Sequence, residues 1–135
     1  MIEYRRGNAL DLEAVVDLYR ASTLGERRPV DDRARMGAML RNANLVITAW
    51  EEARLVGISR AMSDFAFATY LSDLAVRASH QRRGIGRELV RRTQEAGAPA
   101  RITLLAAPAA KDYYARLGFT FEPRAWTLAP TDPLR

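Results

Sequence analysis

The segment HQRRGIGREL, His80–Leu89, decides the fold prediction because it joins two different structural patterns. Thr69–Val76 precedes it with the residue types of a β-strand, and an apolar stripe typical of an amphipathic helix follows it. The first N–H groups of a helix lack partners within the helix and lie at the positive end of its dipole. Glycine lets a ligand approach that backbone closely. The segment therefore predicts an anion site that suits a pyrophosphate.

Two familiar phosphate-binding motifs do not match this turn. The dinucleotide fingerprint needs a third glycine, and Leu89 stands at that position. The P-loop needs a glycine followed by a lysine, and no glycine in this chain precedes a lysine. A G-x-G turn by itself also fits simple packing between a strand and a helix, so the pattern alone leaves both interpretations open.

The composition excludes several classes of protein. The chain has 135 residues, 48% of them hydrophobic and 27% charged, which is typical of one globular domain. With no cysteine and one histidine, we predict no disulfide, no thiolate chemistry and no metal site. The net charge of +5 comes from arginines that are spread along the chain and mixed with acids, so we predict no nucleic-acid partner. We find no membrane span or signal peptide and expect a cytoplasmic location.

The periodicity predicts the element order β-α-α-β-β-β-α-β-α-β, an α/β protein with a mixed sheet and helices packed on it. We expect a single domain over residues 1–135. Asn8 is predicted to cap the first helix at its N-terminus. Arg101–Ala107 has the pattern of a buried strand, and FTFEPRAWTL, residues 119–128, predicts one or two final strands.

The segments YLSDLAVRASHQRRGIGREL (70–89) and YYARLGF (113–119) together resemble the GNAT superfamily of acyl-CoA N-acyltransferases. The family motif Q/R-x-x-G-x-G/A is intact from Gln81 to Gly86, and the predicted element order is also that of the family. The resemblance implies a GNAT fold and acetyl-CoA as the co-substrate. It places the pyrophosphate on the amides from Arg82 to Arg87 and the pantetheine arm along the preceding strand. The implied cofactor-binding residues are Leu74, Ala75, Val76, Gln81, Arg82, Arg83, Gly84, Ile85, Gly86 and Arg87.

The same resemblance implies an N-acetyltransferase in which a primary amine of a small molecule or peptide attacks acetyl-CoA directly, within a ternary complex. A backbone N–H of Val76 or Ala75 would stabilise the oxyanion. Relatives that use a tyrosine acid carry it four residues before the glycine of Y-x-x-x-G-F, which is Tyr114 here, and the adjacent Tyr113 competes for the role. Tyrosine suits this role because its ordinary pKa of about 10 exceeds that of a thiol, about 8.5.

Asp73 is the candidate general base, because its mid-strand carboxylate comes just before the cofactor turn. The alternative is a structural carboxylate bonded to backbone or to an arginine. Tyr70 and Glu26 are further candidates for the base, and His80 is predicted to be a solvated surface residue. Many relatives carry an asparagine after the fifth strand, and APAAKD (107–112) lacks one, which removes one expected polar contact to the cofactor.

The amine acceptor has only loose candidates in the sequence. Glu26, Asp31 and Asp32 are predicted to attract a cationic amine, with helix capping and solvation as the alternative. Phe65 and Phe67 are predicted to line an acceptor slot or a dimer contact. The resemblance leaves a homodimer open, and a non-catalytic acyl-CoA sensor on the same fold is the alternative function.

Overall fold

A five-stranded mixed sheet with helices on both faces forms the first of two units, Met1–Leu105, and Ala106–Arg135 form the second. The structure is a computed structural model that describes residues 1–135. None of its helices is long and apolar enough to cross a membrane. The strands are β1 (Ile2–Arg6), β2 (Leu45–Glu51), β3 (Arg54–Ser63), β4 (Ala68–Val76) and β5 (Arg101–Thr103), and the helices are α1 (Leu12–Arg20), α2 (Arg33–Arg41), α3 (Ile85–Gly97) and α4 (Lys111–Leu117).

The strands lie in the order β1-β2-β3-β4-β5. The first three pairings are antiparallel, and β4 pairs with β5 in parallel. That parallel pairing covers only Ala68–Tyr70 against Arg101–Thr103. The remainder of β4, from Leu71 to Val76, is paired only on its β3 side. One edge of β4 therefore has no strand neighbour over six residues.

Helices α1 and α2 cover one face of the sheet. The apolar stripe of α1 faces inward, and the buried residues on this side form one cluster. Its members include Val15, Val16, Leu18, Tyr19, Met36, Leu40, Val46, Ile58 and Ala75. The cluster joins both helices to β2, β3 and β4, so it fixes the helices against the strand whose edge is free.

Helix α3 covers the opposite face and lies unusually close to β3. A Cβ atom at Gly57 would come within 3.1 Å of Leu89 Cδ1 and 3.2 Å of Ile85 Cγ2. About one helical turn further along α3, the hydroxyls of Ser59 and Thr93 form a buried hydrogen bond of 2.7 Å. The absence of a side chain at Gly57 therefore sets how near the start of α3 can approach the sheet.

The predicted N-cap at Asn8 is wrong. Asp11 caps α1, and its carboxylate accepts from the N–H of Glu13 at 3.3 Å. Asn8 instead donates from Nδ2 to three carbonyls at the C-terminal end of α2. They belong to Leu40 at 3.2 Å, Arg41 at 3.1 Å and Ala43 at 2.9 Å. The side chain thus satisfies carbonyls that a helix C-terminus leaves without partners.

The C-terminal predictions need two corrections. β5 is only three residues long and mostly exposed rather than a buried strand over Arg101–Ala107. No strand forms after α4, which ends at Gly118 in a left-handed conformation with φ of 101°. Within the second unit, Pro123, Pro130 and Pro133 each lack an N–H, and Phe121 and Trp126 are exposed. The alternating apolar pattern therefore has no ladder to join.

We predict that Asn8→Ala lowers the free energy of unfolding by about 1–2 kcal/mol, because several carbonyls lose their shared donor. The measurement is urea unfolding followed by circular dichroism. Asn42→Ala is the matched control, since the exposed Asn42 side chain bonds only the Ala38 carbonyl, and it should change stability by less than about 0.5 kcal/mol. Equal effects of the two variants would contradict this role of Asn8.

Candidate functional site

The free edge of β4 presents main-chain groups at alternate residues. The N–H of Arg77 donates to the Val56 carbonyl on β3 at 2.9 Å. Residues two apart in an antiparallel ladder face the same neighbour, so Ala75 also faces β3, whereas Leu74 and Val76 face the free side. The Val76 carbonyl accepts from Gln81 Nε2 at 3.0 Å, which agrees with this orientation. Of the two amides considered for the oxyanion, that of Val76 faces the free edge.

The glycine turn leaves a run of amides without partners. Gly84 has φ of 80° and is the N-cap of α3, and the first helical hydrogen bond runs from the Glu88 N–H to the Gly84 carbonyl at 3.1 Å. The N–H groups of residues 82–87 donate to no acceptor of the chain. No atom lies within 4 Å of where a Cβ of Gly84 would stand. These amides and the helix dipole form a site that suits an anion.

Three arginines surround this turn, and all are exposed. Arg83 lies 3.4 Å from the Glu51 carboxylate, whereas Arg82 and Arg87 have no ion pair. Arg82 itself adopts a left-handed conformation with φ of 64°. The turn therefore holds guanidinium groups that are available to phosphate oxygens, in addition to its amides.

His80 is buried, so the prediction of a solvated surface histidine is wrong. Its Nε2 lies 3.0 Å from Glu51 Oε1 and its Nδ1 lies 2.8 Å from Ser79 Oγ. Hydrogen bonding to His80, with a smaller contribution from Arg83, lowers the pKa of Glu51. Through Glu51, the histidine connects the end of β2 to the glycine turn. No local sequence pattern indicates this contact, because Glu51 is 29 residues away.

Asp73 is fully buried and bonded on both carboxylate oxygens. Arg28 Nε donates to Oδ1 at 2.7 Å, while Arg60 Nε at 2.6 Å and the Tyr19 hydroxyl at 2.5 Å donate to Oδ2. Asp73 and Arg60 are direct partners across β3 and β4, next to a bulge in which Ser72 is the extra residue. Sequence reasoning did not identify Tyr19, Arg28 or Arg60 as members of this cluster.

The surroundings of Asp73 favour the structural alternative over the general base. Burial by itself raises the pKa of a carboxylate, but hydrogen bonding and charge from Arg60 outweigh it, and the pKa of Asp73 is lowered. The pKa of the buried Tyr19 is raised by desolvation and by Asp73. A base needs an accessible lone pair and a pKa near the working pH. Asp73 has neither, because its side chain is 0% exposed and its pKa lies below the ordinary value of 3.8.

Tyr114 lies in α4, within the second unit. Its ring is half-buried and packs edge-on against Tyr113 and Phe119, with centroids 5.3 and 5.4 Å apart. Its hydroxyl makes no hydrogen bond within the chain. Burial raises the pKa of Tyr114, with a smaller contribution from Tyr113, and burial also raises that of Tyr113. Both phenols are therefore protonated at neutral pH.

The loose acceptor candidates differ in their surroundings. Asp31 pairs with Arg20 at 2.5 Å, and Asp32 caps α2 by accepting from the Arg35 N–H at 3.0 Å. Glu26 is exposed and has no bonding partner, and Tyr70 is 39% exposed. Phe67 is exposed, while Phe65 lies under the Arg6 guanidinium at 5.7 Å. No group of three or more His, Asp or Glu side chains gathers as a metal site would require.

The mixed sheet, the β4 edge without a partner and the free amides at the start of α3 are the features that the sequence resemblance to the GNAT superfamily implies. An acetyltransferase (GNAT) domain model matches residues 2–124, and the chain belongs to that family. This match confirms the resemblance noted in the sequence.

Comparisons with individual proteins agree with the family. Histone acetyltransferase TAP1 of Glycine max is 30% identical over 127 residues, 80% of this chain and 54% of that protein. The chain spans about half the length of the curated relatives it matches, which include a second Glycine max protein, TAP2, at 50%.

Two solved structures show the same fold. A GNAT-family acetyltransferase from Streptococcus pneumoniae has a TM-score of 0.74 at 24% identity, over 95% of this chain and 98% of its own. The aminoglycoside N-acetyltransferase AAC(6')-Iy, solved with CoA, has a TM-score of 0.76 at 18% identity, over 97% and 95%. They confirm the mixed α/β fold predicted from the sequence.

We predict that Asp73→Asn lowers the free energy of unfolding by about 3–5 kcal/mol, because it leaves the buried Arg60 without its counter-ion. The exposed pair Asp31–Arg20 provides the control, and Asp31→Asn should cost at most about 1 kcal/mol. Because the pKa of Asp73 is lowered from 3.8, its contribution is present above that pH and is lost as the pH falls through the lower folded-state value. Urea unfolding of each variant from pH 7 to pH 2 measures both effects. A cost that is independent of pH would contradict the assignment.

Proposed function

We propose that this chain is an N-acetyltransferase, a single domain over residues 1–135, that transfers an acetyl group from acetyl-CoA to a primary amine by direct attack in a ternary complex. The observation that carries the proposal is that two stretches of main chain with unpaired groups follow each other closely in the sequence. The free edge of β4 ends at Val76, and the unpaired amides of residues 82–87 begin six residues later. Acetyl-CoA matches both features, because its extended pantetheine arm carries amides that can pair with the strand edge and leads to a pyrophosphate that can bind the free amides.

Each predicted cofactor residue takes a part in this proposal. The amides of Arg82, Arg83, Gly84, Ile85, Gly86 and Arg87 hold the pyrophosphate, and the guanidinium groups of the three arginines add charge-assisted bonds. Leu74 and Val76 pair with the pantetheine arm through their main chains, as an added strand would. Ala75 faces β3, and its side chain packs in the core. Gln81 acts indirectly, since its amide holds the Val76 carbonyl and fixes the end of the strand.

The chemical step needs a donor to the oxyanion and an acid for the leaving thiolate. The Val76 N–H stabilises the oxyanion that forms when the unprotonated amine attacks the thioester carbonyl carbon. As that intermediate collapses, the carbon–sulfur bond breaks and the Tyr114 hydroxyl donates its proton to the sulfur. Asp73 has a structural part, as the anchor of β4 next to its bulge. The nitrogen of the attacking amine loses a proton to a base, for which the exposed Glu26 and the 39% exposed Tyr70 stay the candidates.

Two measurements test this function against a non-catalytic acyl-CoA sensor. Calorimetry with coenzyme A and acetyl-CoA measures binding, and detection of free thiol with a panel of amines measures transfer. The enzyme is expected to show both. Binding without turnover of any amine would favour the sensor, and no binding of either compound would exclude both functions.

We predict that Gly84→Ala weakens coenzyme A binding at least about 10-fold, because a Cβ would occupy the open space at the helix start and favour a different backbone conformation. Gly7→Ala is the matched control. Gly7 also has a positive φ and open space around it, so that variant carries similar strain away from the site. Calorimetry on both variants compares their affinities, and equal affinities would contradict the proposed phosphate site.

We predict that Tyr114→Phe lowers kcat by about 10²- to 10⁴-fold and leaves the affinity for coenzyme A unchanged, because only proton donation is lost. Tyr113→Phe, which changes the adjacent ring in the same way, should retain kcat within a few-fold. The reverse result, a large loss in the Tyr113 variant alone, would assign the acid to Tyr113. Steady-state kinetics with saturating acetyl-CoA distinguishes the two outcomes.

A further inference from the structure

Arg28 is held rigidly against β4 at its bulge. Besides the bond from Nε to Asp73, Nη2 donates to the Ser72 carbonyl at 2.8 Å and Nη1 donates to the Arg27 carbonyl at 2.8 Å. A guanidinium has five N–H groups, and these three bonds use one on each nitrogen. One N–H therefore remains on Nη1 and one on Nη2. Arg28 is a preorganised side chain that keeps two donors free.

The Arg28 side chain is partly accessible. The Arg28 side chain is 22% exposed, whereas the side chains of Asp73 and Arg60 are 0% and 7% exposed. Arg28 is thus the member of the cluster that a ligand can reach. A free N–H on each terminal nitrogen allows charge-assisted hydrogen bonds to carboxylate oxygens.

The charges of the cluster favour an anion at this place. Arg28 and Arg60 carry two positive charges, Asp73 carries one negative charge, and Tyr19 is neutral because its pKa is raised. The cluster therefore has a net charge of +1 in a largely buried setting, where an unbalanced charge is costly. A carboxylate bound to Arg28 would balance it.

The position of Arg28 indicates which molecule supplies that carboxylate. The proposed function places the phosphates of acetyl-CoA at the turn beyond Val76, at the opposite end of the free β4 edge from Ser72. Ser72 lies four residues from Val76, whose N–H is proposed to stabilise the oxyanion, about 13 Å along an extended strand. Resting on the proposed function, we infer that Arg28 binds a carboxylate of the acceptor, so that the substrate class is amines that carry a carboxylate, such as free amino acids.

The test compares each amino acid with its own carboxamide. In the unaltered protein, kcat/KM should be about 10- to 100-fold higher for the acid than for the amide. The panel includes amino acids with increasing separation between the amine and the carboxylate, and the preferred separation reports the distance from Arg28 to the reacting carbon. Equal kcat/KM values for acids and amides would overturn the inference and leave the proposed function intact.

Variants at Arg28 test the same residue directly. Arg28→Met should lower kcat/KM for the acid, chiefly through KM, about 10- to 100-fold more than it lowers kcat/KM for the amide. Arg28→Lys keeps the charge without the paired donors and should recover part of the loss. The control is Arg27→Met, which removes the adjacent exposed arginine and should change neither substrate. Acetyl-CoA affinity and thermal unfolding verify that each variant folds.

Two further outcomes separate the inference from the function on which it rests. If acetyl-CoA binds and no amine is turned over, the proposed transfer fails, and calorimetry with amino acids in the presence of coenzyme A then decides the inference. Binding that depends on the carboxylate and on Arg28 would support it. Equal binding of acids and amides, or equal losses in the Arg27 and Arg28 variants, would overturn it.

Discussion

The central constraint is that β4 can pair with only one neighbour along most of its length. Its contact with β5 ends at Tyr70, after three residue pairs, so the main-chain groups of Leu74 and Val76 on that side meet no strand. Unsatisfied main-chain groups are costly when buried, and an edge of this kind is stable only if it reaches water or a ligand. The β3 ladder and the helices on both faces hold this edge in place. The same sheet therefore keeps one strand edge unpaired and holds it in a fixed position.

The buried charges next to the bulge in β4 contribute to that rigidity. Ser72 is the extra residue of the bulge, and Arg28 and Arg60 bond to its carbonyl and its hydroxyl respectively. Through Asp73, the two arginines connect β3 and the segment between α1 and α2 to one point on β4. A bulge would otherwise be a flexible place in a strand. Here it is fixed from both sides, and one guanidinium in that arrangement stays partly exposed.

The sequence predicted features that depend on local pattern, and it missed those that depend on distant partners. The helices and the strands β1 to β4 follow from periodicity, and the strand–turn–helix arrangement at the glycine turn follows from residue spacing, whereas the length and burial of β5 did not. The roles of Asn8 and His80 were predicted wrongly because their partners lie about 30 residues away. The prediction of final strands was wrong for a related reason. Alternating apolar residues form a strand only where a neighbouring strand is available to pair with it. Asp73 and Arg60 could have been paired from the register of β3 and β4, had the bulge at Ser72 been known.

The free edge of β4 also affects which amino-acid substitutions such a protein tolerates. A strand edge offers the same N–H and C=O groups whatever residues compose it, provided that none is proline. Mutations at Leu74 or Val76 that preserve packing would leave that edge chemically unaltered. Evolutionary drift in the side chains is therefore compatible with an unchanged backbone, as shared folds at 18–24% identity illustrate. Gly84 has no such latitude, because its φ of 80° is one that side-chain-bearing residues rarely adopt.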